Sequence, residues 1–549
     1  MYEWWCFQVI CWRAVASMAW SVLLLLPTTA LFVVLSRFSL FHPILWISEC
    51  LSLLTSTSAI FSFILLCGVV LLVGFFNLEY CTVVPSIACS KIALLGQVLH
   101  PRQFVHSLVH CIMGVVVAWC CAFTIGGRYR SLGHPCTQDE SSGPEMCLNE
   151  YHLVLLLVGA FIGYSHSLVG VVYNMNYVSF HTMQQYKYLR FKGALPLVVK
   201  ASAVQALYCL RNFLLLYFFM GYAPRAWICR TLDLNINSSI HSLDSVSSLL
   251  DLSLLYHLWI SGTFLLLTWY ITVLLFRIFV TEVRITPMTP PRNTSIRPTT
   301  LRLTLLPLSC QFLALQDLAL LSQHSPSRRL EVFSLSQPGG HPHIWTALSK
   351  ECLSLLSDLT ERLVAHHDTV ATNGRAKSQS TGSNKRSTTS SESSGSYTTA
   401  LSLSLKNITL HSESIQTPLT FSISSSQALF ADSQVHIWAL QGLSHLVAAS
   451  FSEDQYGIVQ TTLPTILSTM LVLQEAVDRH FKLPHTSSKP GHCSCGMGDD
   501  SYKTLRFALR STLKTAVYRI TATFGGHLHA VQMSAEHRKR LQHFLEYKE

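Results

Sequence analysis

The chain has 549 residues, of which 50% are hydrophobic and only 12% are charged. Soluble globular proteins carry about a quarter charged residues, so this composition excludes both a wholly soluble protein and a disordered one. The formal net charge is +10, from 39 Lys and Arg against 29 Asp and Glu. The basic excess is spread thinly along the chain, which argues against direct nucleic-acid binding.

Six apolar stretches in the first half are long enough to cross a membrane. A transmembrane helix needs about 20 mostly apolar residues, and backbone amides in lipid must be hydrogen-bonded within the segment. We therefore predict six membrane-spanning helices near residues 14–35, 56–76, 108–125, 151–172, 201–222 and 254–276. None of the six stretches contains Asp or Glu.

The basic residues between these stretches predict an orientation. With the N-terminus in the cytosol, the loops on the cytosolic side hold eleven Lys and Arg, and those on the opposite side hold five. Cytosolic loops of membrane proteins carry this kind of excess. We therefore expect both termini, and the large C-terminal part, on the cytosolic side.

Two modifications are predicted on the opposite side. Cys136 and Cys147 share the third loop, where an oxidising compartment would permit a disulfide between them. Two free thiols are the alternative. Asn237 opens a glycosylation sequon in the fifth loop.

Polar residues inside the predicted spans allow two interpretations. Arg211 lies near the centre of the fifth span, and His110, His152, His166 and His257 lie in or at the ends of others. Such residues can mark a catalytic or transport path, or they can form hydrogen bonds between helices. We favour helix packing, because the spans hold no carboxylate for a proton relay and show no repeat of broken helices.

Two glycines predict close packing of the fourth span. Gly159 and Gly163 stand four residues apart on one helix face. Small residues at this spacing let two membrane helices approach closely.

The second half is predicted to be soluble, helical and interrupted. We expect a membrane domain over residues 1–280 and a linker rich in Pro, Thr and Arg over 281–300. A helical domain follows in two parts, 301–370 and 426–549, with a disordered Ser/Thr-rich insert over 371–425. Residues 371–399 hold 15 Ser and Thr and almost no large apolar side chain, so they cannot form a core. The predicted fold class is all-α.

Two candidate sites lie in this half. Arg506, Arg510 and Lys514 recur at every fourth position and are predicted to face lipid headgroups or an acidic partner, or else solvent. Ser325 precedes a proline and a nearby arginine, so it is a candidate phosphorylation site. No catalytic, cofactor-binding or metal site is predicted, because we find none of the nucleotide-binding, hydrolase or zinc-protease motifs.

Long segments of this sequence resemble the transmembrane nucleoporin of the nuclear-division-cycle (Ndc) family. They are scattered over most of the chain and lie at 148–153 (LNEYHL), 174–177 (NMNY), 184–187 (QQYK), 313–318 (LALQDL), 325–329, 331–343, 436–440, 442–450, 502–507 (YKTLRF) and 516–521 (AVYRIT). The connectors between them, including residues 400–425, do not obviously match the family.

The resemblance implies a non-enzymatic scaffold that sits where the inner and outer nuclear membranes join and helps to assemble pores. The partners it implies are nuclear membrane lipids, the WD-repeat nucleoporin Aladin and a small membrane-binding FG nucleoporin of the inner ring. The side opposite the cytosol would then be the perinuclear lumen. The competing hypothesis is a polytopic membrane enzyme or transporter that uses the intramembrane histidines or Arg211.

Overall fold

The computed structural model describes residues 2–38, 41–84, 91–135, 146–178, 180, 186–235, 251–282, 308–335, 339–380, 429–482 and 496–546. Within these residues the protein is helical, apart from one two-stranded antiparallel sheet. The predicted all-α fold class is therefore confirmed. The chain divides into two compact units. We call Glu3–Val83 with Leu94–Glu282 the membrane unit, and Val283–Glu549 the C-terminal unit.

The first half of the chain contains nine α-helices and two strands among its described residues. In chain order they are α1 (Tyr2–Ser36), α2 (Pro43–Leu54), α3 (Thr57–Tyr80), α4 (Lys91–Val98), α5 (Pro101–Ile125), β1 (Gly133–Pro135), β2 (Met146–Leu148), α6 (Glu150–Val172), α7 (Lys187–Met220), α8 (Tyr222–Leu232) and α9 (Leu252–Val280).

Six of the described helices are long and apolar enough to cross a membrane, and they correspond to the six predicted stretches. These span helices are α1, from Gln8 onward, α3, α5, α6, α7 and α9. α9 is the most enclosed: 61% of the residues in its 18-residue apolar stretch are buried. The corresponding share is 22% in α1 and in α7. The last span therefore forms the centre of the bundle, and it packs against α3, α5, α6 and α7.

The loops at one end of the bundle are tied to the spans by helix caps. The Asn149 side chain accepts from the first backbone amides of α6, while its own amide donates to the carbonyls of Arg128 and Ser131 at 2.8 Å. Asp251 caps α9 in the same way at Ser253 and pairs with Arg128 at 3.0 Å. Side-chain oxygens at these positions satisfy amides that a helix start leaves unbonded.

The C-terminal unit contains seven α-helices among its described residues. They are α10 (Leu308–His324), α11 (Pro326–Val332), α12 (His343–Ser380), α13 (Ser433–Glu453), α14 (Leu463–Lys482), α15 (Gly496–Phe524) and α16 (Ala535–Leu545).

α13 is the central helix of this unit. It packs against α10, α12 and α15 and buries side chains on nearly every face. Trp438 on α13 and Trp345 on α12 are almost wholly buried. A Cβ atom at Gly442 would lie 2.8 Å from Leu318 Cγ, so this glycine lets α10 approach α13 closely.

α12 runs ten residues beyond the predicted start of the insert. Residues 371–380 continue the helix, although their sequence contributes almost no large apolar side chain. Extending an existing helix forms one hydrogen bond for each residue added and does not require a core. Most of the predicted insert lies outside the described residues, because none of 381–428 is described.

Candidate membrane anchor and docking surfaces

The outer surface of the span helices is apolar. Large side chains such as Trp20 on α1, Phe61 on α3 and Phe218 on α7 are each more than half exposed. A soluble monomer rarely exposes continuous apolar surface of this extent. Because the backbone groups of each span are hydrogen-bonded within its own helix, hydrocarbon can surround these side chains without leaving polar groups unpaired. The membrane unit is therefore suited to a bilayer.

The tightest helix contact in the membrane unit is a glycine seam between α5 and α6. A Cβ atom at Gly159 would lie 2.4 Å from the Gly114 carbonyl oxygen, and one at Gly163 would lie 2.1 Å from the His110 carbonyl oxygen. Real Cβ atoms do not approach backbone atoms this closely. The close packing predicted from Gly159 and Gly163 is confirmed. Their partner Gly114 was missed, since its role becomes visible once α5 and α6 are paired.

One histidine group links α5, α6 and α9. His106 Nδ1 and Ser167 Oγ are 2.8 Å apart, and His110 Nδ1 donates to the His106 carbonyl oxygen at 2.9 Å. The rings of His110 and His166 pack 5.3 Å and 5.1 Å from that of Trp269, measured between centroids. Nothing in the sequence pattern pointed to His106 or Ser167.

The other two predicted histidines belong to a separate group. His152 Nδ1 lies 2.5 Å from the Tyr129 carbonyl oxygen, and the His257 ring packs 5.2 Å from the Tyr129 ring. The four histidines therefore do not form one constellation. Within the described residues, no cluster of three or more His, Cys, Asp or Glu side chains could hold a metal ion.

Arg211 lies on the outside of α7 and is exposed. Its guanidinium donates to Asn212 Oδ1 at 3.1 Å and lies 5.5 Å from the Tyr208 ring. The side chain thus makes local contacts on its own helix and does not enter the helix bundle.

A nearly buried ion pair joins α8 to α6. Arg225 Nη1 lies 3.3 Å from Glu150 Oε1, and both side chains are about nine-tenths buried. Cys147, on β2, is disulfide-bonded. Cys136 and Asn237 lie outside the described residues, so the pairing of Cys136 with Cys147 and the glycosylation of Asn237 stay predictions.

Two arginines of α11 form ion pairs with neighbouring helices of the C-terminal unit. Arg328 Nη2 pairs with Asp317 on α10 at 2.8 Å, and Arg329 Nη2 pairs with Glu453 on α13 at 2.6 Å. The hydrogen bonds to Glu453 raise the pKa of Arg329. Ser325 immediately precedes α11 and is half-buried. Its phosphorylation stays a prediction.

In the predicted basic row, Arg506 and Arg510 contact another helix of the C-terminal unit. Arg506 is 8% exposed, and its guanidinium carbon lies 4.0 Å from the Phe481 ring centroid. Arg510 stacks on the same ring and donates from Nε to Asp478 Oδ1 at 2.7 Å. The row therefore differs from the open basic face expected from its spacing, because α14 packs against two of its members. Lys514 is half-buried, and partner binding by this row stays a prediction.

Several apolar side chains of the C-terminal unit remain exposed. They include Phe451 on α13, Tyr456 after it, and Phe507 on α15, each more than half exposed. Exposed aromatic side chains are common anchors at protein interfaces. These positions are candidate docking contacts.

The fold and surface define a polytopic α-helical membrane protein with a separate helical unit after its last span. Comparison with known proteins narrows this class. The profile of the family described as "Nucleoporin protein Ndc1-Nup" matches residues 8–422 and 405–542. The chain belongs to this family and is a transmembrane nucleoporin of the nuclear pore membrane.

Its similarity to vertebrate relatives extends over the full chain. It is 53% identical to Nucleoporin NDC1 of Danio rerio over 663 residues, which covers 100% of this chain and 99% of the relative. It is 45% identical to Nucleoporin NDC1 of Homo sapiens over 656 residues, covering 99% and 97%. Since both alignments are longer than this chain of 549 residues, each relative contains residues that this chain lacks. Nucleoporin ndc-1 of Caenorhabditis elegans is 25% identical over 252 residues, 42% of this chain.

Proposed function

We propose that this protein is a non-enzymatic scaffold that anchors nuclear pore components to the pore membrane and helps to assemble the pore. The observation that carries the proposal is the pairing of two surfaces in one nucleoporin chain. One unit presents an apolar exterior fit for lipid, and the other is a helical unit with a polar surface and exposed aromatic anchors.

In the mechanism that we propose, the spans partition into the membrane and thereby tether the C-terminal unit to it. Insertion of a membrane helix is effectively irreversible compared with a lipid anchor, and this chain has six candidate spans. Any protein bound to the C-terminal unit would then stay at the membrane. The proposed partners are an Aladin-type WD-repeat nucleoporin and a small membrane-binding FG nucleoporin of the inner ring, bound through apolar grooves of the C-terminal unit.

We also propose a topology in which both termini lie on the cytosolic side and residues 281–300 link the two units. The excess of basic residues in the loops on that side supports it. Glycosidase treatment of the protein from cells tests it. Sugar should be found on Asn237, and sugar on Asn407, in the C-terminal unit, would invert the orientation.

Deleting residues 301–549 separates anchoring from docking. The truncated chain should still resist alkaline carbonate extraction, because its spans remain. It should fail to recruit the two proposed nucleoporins to the nuclear rim, as seen by microscopy of the tagged partners. Recruitment by the truncated chain at the level of the full chain would count against the C-terminal unit as the docking platform.

A polytopic enzyme or transporter remains the second candidate, favoured by one observation. His106, His110 and His166 gather at one level of the bundle, where His166 Nδ1 has no hydrogen-bond partner among the described residues. Replacing His110 and His166 with Gln should leave pore assembly intact if the protein is a scaffold. Loss of function in a variant that still folds and reaches the nuclear envelope would favour the second candidate.

A further inference from the structure

The membrane unit contains a cavity of about 540 Å³ between α1, α3 and α5. Leu53 and Leu54, at the end of α2, close one side of it. Phe32 and Leu66 in its wall are buried, whereas Leu26 and Ile60 are 55% and 53% exposed. The cavity therefore opens on the surface of the spans. Its size falls within the range of about 300–1,000 Å³ that is typical of small-molecule sites.

The polar groups in the wall are largely used within the protein. The Thr29 hydroxyl donates to the Leu25 carbonyl, and the Thr124 hydroxyl donates to the Cys120 carbonyl, both at 2.8 Å. The Cys120 thiol in turn donates to the Ser62 carbonyl at 3.7 Å. A hydrocarbon occupant needs no further hydrogen bonds, so it fits this wall better than a polar molecule does.

The distance from the inner end of the cavity to Arg37 matches the thickness of one lipid leaflet. Leu26 stands eleven positions before Arg37, which is about 16 Å along a helix that rises 1.5 Å per residue. The hydrocarbon core of a bilayer is about 30 Å thick, so one leaflet contributes about 15 Å. An acyl chain that starts near the end of α1 would therefore reach the inner end of the cavity.

Arg37 lies four residues after Val33, the last residue of α1 in the cavity wall. Its Nε and Nη2 both donate to the Thr124 carbonyl oxygen at 3.3 Å. Gly126, with φ of +66°, leaves room for this side chain, because a Cβ atom there would lie 2.8 Å from Arg37 Nη2. Among the described residues, Arg37 forms no ion pair. A guanidinium has five donors and binds phosphate well, so several remain available.

We propose that this cavity binds one acyl chain of a phosphoglycerolipid whose phosphate is held by Arg37. The occupant follows from the apolar wall, the leaflet-length distance between Leu26 and Arg37, the opening toward the surface of the spans and the positioned guanidinium.

Photolabelling of the full-length protein tests the acyl-chain part. The protein is placed in lipid nanodiscs that contain phosphatidylcholine with a photoactivatable diazirine on one chain, and labelled peptides are identified by mass spectrometry. In Ser62→Phe an aromatic ring fills the cavity and excludes the acyl chain. Labelling of the peptides around Leu66 and Cys121 should then fall about tenfold, because the specific binding site is lost. The matched control is Ile64→Phe, since Ile64 is 61% exposed on the same helix, and it should label like the wild type.

Native mass spectrometry tests the headgroup part. Arg37→Gln should weaken retention of phosphatidylcholine about tenfold, because a hydrogen bond to a charged group is lost, whereas Arg37→Lys should retain most of it. If Ser62→Phe does not fold, Ala59→Leu fills the same cavity. Equal labelling of the filled and wild-type cavities would overturn the proposal. Displacement of the labelled chain by cholesterol would also overturn it, since a sterol has no phosphate for Arg37.

Discussion

Arg211 illustrates how much one side chain can oppose membrane insertion. It lies near the centre of the fifth predicted span, on an exposed face, with contacts to its own helix. An arginine at the centre of a span costs about 2.5–3.5 kcal/mol in insertion measurements. The low hydropathy of α7, which at 1.4 is lower than that of the other span helices, makes this cost important.

Replacing Arg211 with Leu should therefore favour insertion of α7. We expect the apparent free energy of insertion of Lys187–Met220 to improve by about 2.5 kcal/mol or more in a microsomal assay with flanking glycosylation tags. Lys200→Leu is the matched control, because Lys200 borders the predicted span and can reach the interface. An equal effect of both changes would show that Arg211 does not lie deep in the bilayer.

We expect His445, on α13, to make the stability of the C-terminal unit depend on pH. Burial, together with the charges of Arg519 and Arg329, lowers its pKa to about 4, from an ordinary value of about 6.5. Between these values the unfolded chain binds a proton that the folded chain does not. His445 therefore does not reduce the free energy of unfolding above about pH 6.5. The free energy of unfolding falls as the pH is lowered from about 6.5 to about 4.

We expect the thermal unfolding midpoint of the C-terminal unit, measured on the full chain in detergent, to fall between pH 7 and pH 5. His445→Gln should reduce that fall, and His343→Gln, at an exposed position, should not. Burial also lowers the pKa of His436, so part of the dependence should persist. An unchanged pH profile in His445→Gln would contradict the assignment.

At the scale of elements, the glycine seam fixes how closely α5 and α6 approach. Gly163→Leu would force a side chain into the His110 carbonyl, and backbone atoms cannot move aside as a flexible side chain can. We expect a loss of at least about 2 kcal/mol of stability, in line with overpacking of a tight interface. Thermal unfolding in detergent measures it.

Gly170→Leu is the matched control for the seam. Gly170 is on the same helix, and nothing lies within 4 Å of the place where its Cβ atom would be. It should leave the unfolding midpoint close to that of the wild type. Equal destabilisation by the two substitutions would indicate a general cost of losing glycine from α6.

Apolarity along the chain was enough to predict the six spans, because lipid leaves the backbone few alternatives to a helix. Helix starts were less accessible to prediction. α7 begins at Lys187 and α5 at Pro101, ahead of the predicted 201 and 108, because their first turns are too polar to register as membrane segments. α2 was missed because its 12 residues are too few to cross a bilayer.

The candidate sites depended more on neighbours that are distant in sequence. The spacing of Arg506 and Arg510 correctly placed both on one helix, but the ring that covers them comes from Phe481 on α14. In the same way, Gly159 was recognisable from a local pattern, whereas Gly114 became meaningful once its partner helix was known. Local composition defined the elements, and tertiary packing determined which of their side chains remained accessible.

At the scale of the whole molecule, the proposed anchoring and docking functions fall in separate units. We expect a protease site inserted within residues 283–300 to release the C-terminal unit from membranes after cleavage. Immunoblotting of the pellet and supernatant measures this, with uncleaved protein as the control. A C-terminal fragment that stays in the pellet in the absence of its partners would show that this unit binds the membrane by itself.

The guanidinium of Arg13, on α1 and one residue before the first predicted span, donates to the carbonyl oxygen of Val280, the last residue of α9, at 3.1 Å. The start of the first span and the end of the last span therefore lie next to each other at one end of the bundle. Whichever way it is inserted, complementary halves of a split luciferase fused before α1 and directly after Glu282 would share a compartment and lie close enough to reconstitute light emission. Such a reporter would follow correct assembly of the six spans in living cells without any pore partner being present.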